Sequence, residues 1–443
     1  MRYIYSFKIS SFQIIIGSFL AIILLGAFLL MLPISSAEGV VTPFSDALFT
    51  STSAVCVTGL VVHDTYRYWS LFGKTCILVL IQIGGLGTIT LAMIVTMLSG
   101  RKVSLFQRSV MKDAISADQI GGMGHFSLFI LQSTLAAELL GVLLLFPSFF
   151  RRFPLLQSIQ YSVFHSISAF CNAGFDLMGK QQPYSSLTSF SGSILVNLTI
   201  MGLIITGGLG FRTWEDIGNN RFRVHKYRLQ TKLILFTTAV LIFLPAIGFF
   251  FIEFRGVPLK ERILSSLFQS VTTRTAGFNT ADFASFSDSG KLLSIILMLI
   301  GGSPGSTAGG MKTTTIAVLF AGAVSVFQRK KSAQLFGRRI EDSTIRNAAT
   351  LLLMYLILSM IGAAVISMAD GLPIGACIFE TVSAIGTVGL SLGITPSLSL
   401  VSHIILILLM FLGRVGGLTL IYAAINSKST DVSQRPVEKI IVG

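Results

Sequence analysis

Eight stretches of this chain are long enough and apolar enough to cross a lipid bilayer, which takes about 20 residues per helix. Only 12% of the 443 residues are charged and 52% are hydrophobic, whereas a soluble domain carries about 25% charged residues. We therefore predict an all-α integral membrane protein. The stretches run over 12–32, 75–98, 126–146, 189–211, 233–252, 292–328, 347–369 and 397–425.

The first stretch also has to be weighed as a signal peptide. It is longer than the apolar core of a signal peptide, which spans about 7 to 15 residues. A retained span is therefore favoured, and the even number of spans places both termini on the same side.

The basic residues predict the orientation. The formal net charge is +14, from 33 Lys and Arg against 19 Asp and Glu, and the basic residues concentrate in alternate connections. Lys and Arg are enriched on the cytoplasmic side of spans, so we expect these clusters and both termini in the cytoplasm of a cell-membrane protein. The same charge is compatible with docking of an acidic partner or anionic lipid, and nucleic acid is not required. The clusters are Arg2 and Lys8, residues 100–112, 211–232 and 326–346, and the tail with Lys428, Arg435 and Lys439.

A short apolar segment recurs four times, each time between two spans and on the side opposite the basic clusters. In the first, second and fourth copies a Phe precedes a Gly by ten positions, and in the third by nine. Recurrence in register predicts four equivalent units, each with a short helix entering the membrane and an extended return around the Gly. Four ordinary re-entrant turns with packing glycines are the alternative. The pairs are Phe49 and Gly59, Phe164 and Gly174, Phe268 and Gly277, and Phe379 and Gly389.

Such segments have a recognisable chemistry when four of them surround one axis. Their carbonyl oxygens can replace the hydration shell of an ion, as in potassium-channel filters. Gly is needed where the backbone takes φ values closed to other residues. The sequence Thr387-Val388-Gly389-Leu390 is similar to such a filter, so a cation pore is predicted.

The four units and a broken sixth stretch resemble the Trk/Ktr/HKT family of potassium transporters, most closely the membrane subunits of bacterial Ktr systems, over essentially the whole chain. The resemblance implies eight transmembrane helices and four re-entrant pore loops around a pseudo-fourfold axis, with potassium as the selected ion. The third loop departs from the pattern because it is one residue shorter and carries Arg274. The implied units are 1–100, 101–220, 221–345 and 346–443. The implied filter residues are Val57, Thr58, Gly59, Asn172, Ala173, Gly174, Thr275, Ala276, Gly277, Thr387, Val388 and Gly389.

The sixth stretch has to break within the membrane. Its 37 residues would form a helix of about 55 Å, against a hydrocarbon core of ~30 Å. Residues 301–312 contain five Gly and one Pro and are predicted to lie in the conduction path, where the resemblance implies a gate. A kink without gating and ion coordination by loop carbonyls are the alternatives. The predicted gate residues are Gly301, Gly302, Ser303, Pro304, Gly305, Ser306, Thr307, Ala308, Gly309, Gly310, Lys312 and Arg414.

Ionisable residues at membrane depth are costly and therefore carry functional hypotheses. Arg414 is predicted to face the loop or the cavity, where it would oppose cations and donate hydrogen bonds to loop carbonyls. Lys312 is expected to extend toward the cytoplasm. Structural support is predicted for Arg274, Glu138 and Glu380, with Glu138 hydrogen-bonded inside the bundle. Close helix packing is predicted for Gly84-Gly85, Gly207-Gly208 and Gly416-Gly417.

No motif for ATP hydrolysis is found, so the chain is predicted not to be an enzyme and to carry no cofactor. Potassium is expected as the transported ion, with sodium as a candidate co-ion or activator, driven by the membrane potential or a co-ion. The rival functions are a non-selective or sodium-conducting channel and an alternating-access transporter.

The resemblance also implies partners. Ktr membrane subunits form homodimers in the lipid membrane and sit on a cytoplasmic ring of nucleotide-binding regulatory subunits. The basic segments 211–232 and 326–346 are the candidates for that contact, and the tail ending at Gly443 is the candidate for the dimer interface.

Overall fold

The computed structural model describes residues 10–99, 103–114, 122–180, 182–221, 223–330, 332–417 and 419. Arg2, Lys8, most of the C-terminal tail and the predicted dimer contact lie outside these residues. The described part is mostly helical. Its α-helices are α1 (Ser11–Met31), α2 (Phe44–Val55), α3 (Thr65–Tyr68), α4 (Leu71–Leu86), α5 (Thr88–Leu98), α6 (Leu105–Ala114), α7 (Met123–Phe150), α8 (Leu155–Phe170), α9 (Ile194–Gly208), α10 (Phe211–Asn220), α11 (Leu229–Ile252), α12 (Leu259–Thr272), α13 (Asp288–Met298), α14 (Thr313–Phe327), α15 (Asp342–Asp370), α16 (Ile374–Ile385) and α17 (Leu400–Val415).

Minor elements complete the described chain. Strands β1 (Gln334–Leu335) and β2 (Arg338–Arg339) form an antiparallel hairpin in which Gln334 pairs with Arg339 and Leu335 with Arg338. Short 3-10 helices cover Pro33–Ser35, Thr188–Phe190, Val224–Lys226, Phe283–Ser285 and Thr395–Ser397.

Helices α1, α7, α11 and α15 are each long and apolar enough to cross a membrane. Each buries one face against its neighbours and exposes large apolar side chains on the other, as Leu25 and Phe28 do on α1. An exposed apolar face of this extent suits contact with lipid. The N-terminus of α1 is fixed by a capping box, in which the hydroxyl of Ser10 accepts from the amide of Gln13 and the Gln13 side chain accepts from the amide of Ser10.

The second predicted span is bent within its length and the fourth is bent at its end, and neither bend was predicted from the sequence. Helices α4 and α5 meet at an angle of 93°, and α9 and α10 at 95°. The bends fall at Gly87 and Gly210, whose φ angles of 85° and 86° are rarely adopted by residues with a side chain. The eighth apolar stretch likewise reaches a glycine of positive φ, Gly416, directly after α17.

The predicted break in the sixth stretch is confirmed. Helix α13 ends at Met298 and α14 begins at Thr313. The connection between them is irregular, and Ile300 pairs with Met311 in an isolated parallel bridge.

Four short helices, α2, α8, α12 and α16, form the buried centre of the fold. Helix α2 packs between α1 and α4, α8 between α7 and α9, and α16 between α15 and α17, while α12 packs on α11 and α9. A Pro directly precedes each one: Pro43, Pro154, Pro258 and Pro373. Pro has no amide hydrogen to leave unpaired at a helix start and its φ is already fixed, so each of these helices begins at a defined residue.

Candidate functional site

The chain segments that follow the four short helices meet one another. A methyl carbon added to Gly59 would lie 2.5 Å from the carbonyl oxygen of Ala173, in the next segment. The same distance, from the added methyl carbon to the carbonyl oxygen, is 2.9 Å for Gly174 and Ala276, 2.6 Å for Gly277 and Val388, and 2.1 Å for Gly389 and Thr58. Each glycine thus lies against the backbone of the following segment, and the fourth returns to the first. The contacts close a ring.

All four segments share one backbone conformation. The residue two positions before each glycine has a positive φ: 49° at Val57, 56° at Asn172, 60° at Thr275 and 50° at Thr387. Such angles are uncommon for residues with a side chain and rarer still for β-branched ones. Strained backbone that recurs in four places is a sign of function rather than of chance. The glycines themselves have φ between 71° and 92°.

Each segment is tied to the end of its own helix. The residue before the glycine donates its amide hydrogen to a helix carbonyl: Thr58 to Ser53 at 2.8 Å, Ala173 to Ser168 at 2.8 Å, Ala276 to Thr272 at 3.0 Å and Val388 to Ser383 at 2.8 Å. The third bond spans four residues and the others span five. The one-residue difference in the length of the third loop is therefore accommodated at the end of its helix. The residues next to Gly277 keep the backbone geometry of the other three segments.

The hydroxyl groups of these four helix residues were not predicted from the sequence to take part in the site. The oxygens of Ser53 and Ser383 accept from the amides of Gly59 and Gly389 at 3.0 and 3.1 Å. The hydroxyls of Ser168 and Thr272 instead donate to the carbonyls that follow their glycines, at 2.8 and 2.5 Å. A signal was available, because each hydroxyl residue follows the Phe of its copy by four positions.

The broken-helix connection, residues 301–312, lies directly against this ring. A methyl group on Gly309 would be 2.2 Å from Oγ1 of Thr387, and one on Gly310 would be 2.6 Å from the carbonyl of Gly386. The hydroxyl of Thr307 donates to the carbonyl of Phe170 at 2.9 Å. The connection therefore contacts the fourth segment and the last residue of α8 at once, and at Gly309 and Gly310 only glycine permits this approach.

The remainder of the connection is held by backbone hydrogen bonds. The amides of Ser303 and Thr307 donate to the carbonyls of Gly208 and Gly207 at 2.9 and 3.2 Å, and the amide of Gly310 donates to that of Gly413 at 3.1 Å. These bonds connect it to the ends of α9 and α17. Four more predicted residues lie within it. Gly301 donates to Met311, Gly302 accepts from Thr313, Gly305 accepts from Phe211, and the carbonyl of Pro304 lies close to Gly210.

Two basic side chains donate hydrogen bonds to the same connection. The guanidinium of Arg414 donates to the carbonyl of Thr307 and, on its other side, to the carbonyls of Gly84 and Gly85. The ammonium of Lys312 donates to Ala308 at 2.8 Å and to Gly309 at 3.4 Å. Two hydrogen bonds thus hold the Lys312 ammonium on the carbonyls of its own loop, and its extension toward the cytoplasm stays a prediction. Ser306 is the exception, since its buried hydroxyl has no protein partner among the described residues.

The connection also lines a cavity of about 720 Å³. Gly305, Lys312 and Arg414 contribute to its wall, together with Tyr355 of α15 and Arg339 of β2. A cavity of this size accommodates a hydrated cation with room to spare, and the loop lies between this cavity and the ring of glycines.

The other buried charges have structural partners. Glu138 is hydrogen-bonded within the bundle, as predicted, since Gln82 donates to it at 3.2 Å. Arg274 turns away from its own segment toward the hydroxyl of Thr238 on α11, at 3.4 Å. Close packing by two of the glycine pairs is confirmed, because Gly84 and Gly207 lie against the last carbonyls of α2 and α8.

A carboxylate lies two residues beyond the second glycine. Asp176 is half-buried and accepts from the amide of Met178 at 2.8 Å. The pKa of Asp176 is raised to about 7, mainly by burial; the Met178 amide lowers it and the nearby carboxylate of Asp64 raises it. This group therefore changes charge near neutral pH.

Residues 8–434 match the model of the TrkH family, described as a cation transport protein. The chain belongs to this family. It is 37% identical to the potassium/sodium uptake protein NtpJ of Enterococcus hirae over 98% of both chains. It is also 37% identical to the Ktr system potassium uptake protein B of Bacillus subtilis, over 94% of this chain and 93% of the relative. The predicted resemblance is confirmed.

A solved structure has the same fold. The potassium transporter TrkH from Vibrio parahaemolyticus superposes with a TM-score of 0.75 over 96% of this chain and 87% of that one, at 17% identity. The chain is thus a multi-pass membrane protein of a family of transport proteins rather than of enzymes.

Proposed function

We propose that this chain takes up potassium through a selective pore built from four membrane-pore-membrane units, 1–100, 101–220, 221–345 and 346–443. The closed ring of Gly59, Gly174, Gly277 and Gly389 is the observation that carries the proposal, because it brings four equivalent backbone segments around one point. The names of the relatives, which include potassium uptake proteins of Ktr systems, support the choice of ion.

The filter chemistry rests on backbone oxygens. A potassium ion that leaves water needs its hydration shell replaced, and rings of carbonyl dipoles do this at little cost when they are held in place. In our proposal the carbonyls of the two residues before each glycine coordinate the ion, and the glycines allow the close approach. These carbonyls belong to Val57, Thr58, Asn172, Ala173, Thr275, Ala276, Thr387 and Val388.

In the same proposal residues 301–312, with Lys312 and Arg414, form the gate. The contacts of Gly309 with Thr387 and of Thr307 with Phe170 support it, because a loop pressed on the fourth filter segment and on the end of α8, which leads into the second, obstructs the route to the cavity. Both basic groups face a path taken by cations, so their charge opposes passage while the loop is in place. Outward movement of the loop would join the filter to the cavity.

The proposal extends to assembly and location. The protein would lie in the cell membrane with both termini in the cytoplasm, pair with a second copy, and bind a cytoplasmic ring of nucleotide-binding regulatory subunits. The β1–β2 hairpin supports a docking role for segment 326–346, because both residues of β2, Arg338 and Arg339, are exposed. Capture of a purified ring by wild-type protein, but not by a variant with both arginines changed to Ser, would support docking; equal capture would leave only a topological role.

The decisive test of the filter is Gly59→Ser in a host that lacks its own potassium uptake. A serine side chain has no room beside Ala173, and the φ of 92° disfavours any side chain at this position. We therefore expect either that growth at low potassium is lost or that the variant takes up sodium as well as potassium. Gly202→Ala is the matched control, because nothing lies within 4 Å of its added methyl group. Wild-type growth of the Gly59→Ser strain would contradict the proposal.

Sodium conduction is the second candidate, since one relative is named a potassium/sodium uptake protein. A sodium-coupled uptake would show rubidium flux that rises with external sodium. A sodium-conducting pore would carry the two ions at comparable rates, which would exclude the potassium assignment.

A further inference from the structure

The residue that follows the Phe of each short helix occupies one shared position. In the four units it is Thr50, His165, Gln269 and Glu380. All four side chains are buried, with exposures of 2%, 0%, 0% and 0%. Each lies one turn before the hydroxyl residue that holds its glycine segment, so the position lies behind the ring.

In the fourth unit this side chain fixes the backbone beyond the glycine. One carboxylate oxygen of Glu380 accepts from the amide of Leu392 at 3.1 Å and from the hydroxyl of Ser391 at 2.5 Å. The other accepts from the hydroxyl of Thr395 at 2.9 Å. A buried carboxylate with three donors is fully used in holding this stretch, because buried charge is tolerated only when it is hydrogen-bonded.

The second unit uses a different side chain for the same bond. Nε2 of His165 accepts from the amide of Leu177 at 3.3 Å, and Nδ1 donates to the carbonyl of Tyr161 at 2.7 Å. Donation by Nδ1 leaves Nε2 with the lone pair that the Leu177 amide requires. Leu177 and Leu392 are both the third residue after their glycine.

The two anchored segments lie opposite each other. In the ring, the second segment contacts the first and the third, and the fourth contacts the third and the first. In the third unit, by contrast, both amide atoms of Gln269 are buried without a protein partner among the described residues. The bond to the third residue after the glycine is therefore made from this position in the second and fourth units, whereas Gln269 of the third unit does not make it.

We propose that Glu380 and His165 are positioning residues that set the carbonyl geometry of the second and fourth filter segments and so the discrimination between potassium and sodium. This inference rests on the proposed filter. The helix end fixes each segment before its glycine. The hydrogen bonds of Glu380 to Leu392 and of His165 to Leu177 fix the fourth and second segments after the glycine, so the filter carbonyls of these two segments cannot relax around a smaller ion. Coordination geometry of this kind has to be held to about 0.5 Å.

The test compares variants of purified full-length protein in liposomes by rubidium and sodium flux. Glu380→Leu and His165→Leu remove the acceptor, and the sodium-to-rubidium flux ratio should rise about tenfold, the effect of roughly one buried hydrogen bond. Glu380→Gln and His165→Gln retain an acceptor and should stay within about twofold of wild type. Gln269→Leu is the matched control at the same position, and its ratio should not change.

If Glu380→Leu does not fold, Glu380→Asp tests the same role. It keeps the charge but moves the carboxylate oxygens back by one methylene, so the sodium-to-rubidium flux ratio should rise. Wild-type ratios in the acceptor-less variants, or an equal rise in Gln269→Leu, would overturn the anchoring role and leave the filter proposal intact. A wild-type protein that does not discriminate between the ions would instead overturn the filter, and this inference with it.

Discussion

Arg414→Met is the perturbation that bears most directly on the proposed gate. The guanidinium joins the loop to the end of α4, because it donates to Thr307 on one side and to Gly84 and Gly85 on the other. Methionine keeps much of the apolar stem and removes both the donors and the positive charge. We expect the loop to leave its blocking position more often.

The size of the expected shift from closed to open loop follows from the hydrogen bond between Arg414 and Thr307, the one that reaches the loop. A hydrogen bond from a charged donor contributes about 1.5–3 kcal/mol, and about 1.4 kcal/mol changes an equilibrium tenfold. The closed form of the loop should therefore lose a factor of about 10 to 100 relative to the open form. Loss of the positive charge lowers the barrier to a cation in the same direction. The ion affinity of the filter should stay the same, because no filter carbonyl is touched.

The assay is rubidium flux into liposomes at a fixed membrane potential, measured as a function of rubidium concentration. Arg414→Met should raise the maximal flux about tenfold or more with little change in the half-saturating concentration. Arg414→Lys, which keeps the charge but offers fewer donors, should give an intermediate value. Arg262→Met is the matched control, because that guanidinium also donates to a helix-end carbonyl, Phe250, away from the loop. Wild-type flux in folded Arg414→Met would refute the gating role.

Three further outcomes are expected. Thr307→Val keeps the side-chain volume but removes the bond to Phe170, a loss of about 1 kcal/mol, and rubidium flux should rise about fivefold; an unchanged or lower flux would count against closure by this bond. Gly87→Ala should lower the thermal midpoint in detergent because a positive φ costs about 1–2 kcal/mol, whereas Gly202→Ala should raise it; the reverse order would contradict the bend assignment. Asp176 loses its charge as the pH falls through about 7, so the half-saturating rubidium concentration should rise from pH 8 to pH 6 in wild type but stay flat in Asp176→Asn.

Much of the architecture could be predicted from the sequence because it depends on local signals. The length of apolar stretches predicts spans, and the 37 residues from 292 to 328 exceed what one helix can bury, so the break followed from arithmetic. The spacing from Phe to Gly likewise located the four segments. These features do not depend on which helix packs on which.

The bends at Gly87 and Gly210 were missed for a physical reason. The second stretch stays apolar through Gly87, so hydropathy does not register that bend, and a lone glycine inside an apolar run is equally compatible with close packing. Gly210 lies at the end of its apolar stretch and is followed by the polar helix α10, so hydropathy predicts the end of a span there and not a bent pair of helices. The positive φ that bends the chain is set by tertiary contacts, such as the bond from Phe211 to Gly305 across the two elements.

Side-chain partners were the least predictable part of the candidate site. The sequence placed Lys312 in the loop, yet the direction of its ammonium depends on where free carbonyls are exposed, and these lie three and four residues back in the same loop. The hydroxyl residues Ser53 and Ser383 occupy the same position in their copies of the repeat, which the sequence shows. Their role depends on a glycine amide that only the turn at positive φ brings near.

Competitive ion flux through the purified chain is the most direct measurement of whether the glycine ring selects potassium. Liposomes containing the protein are given rubidium and sodium at equal concentration and a fixed inside-negative potential. Rubidium should enter in large excess over sodium, and the excess should disappear in Gly59→Ser. Comparable entry of both ions through the wild-type protein would contradict a potassium-selective filter.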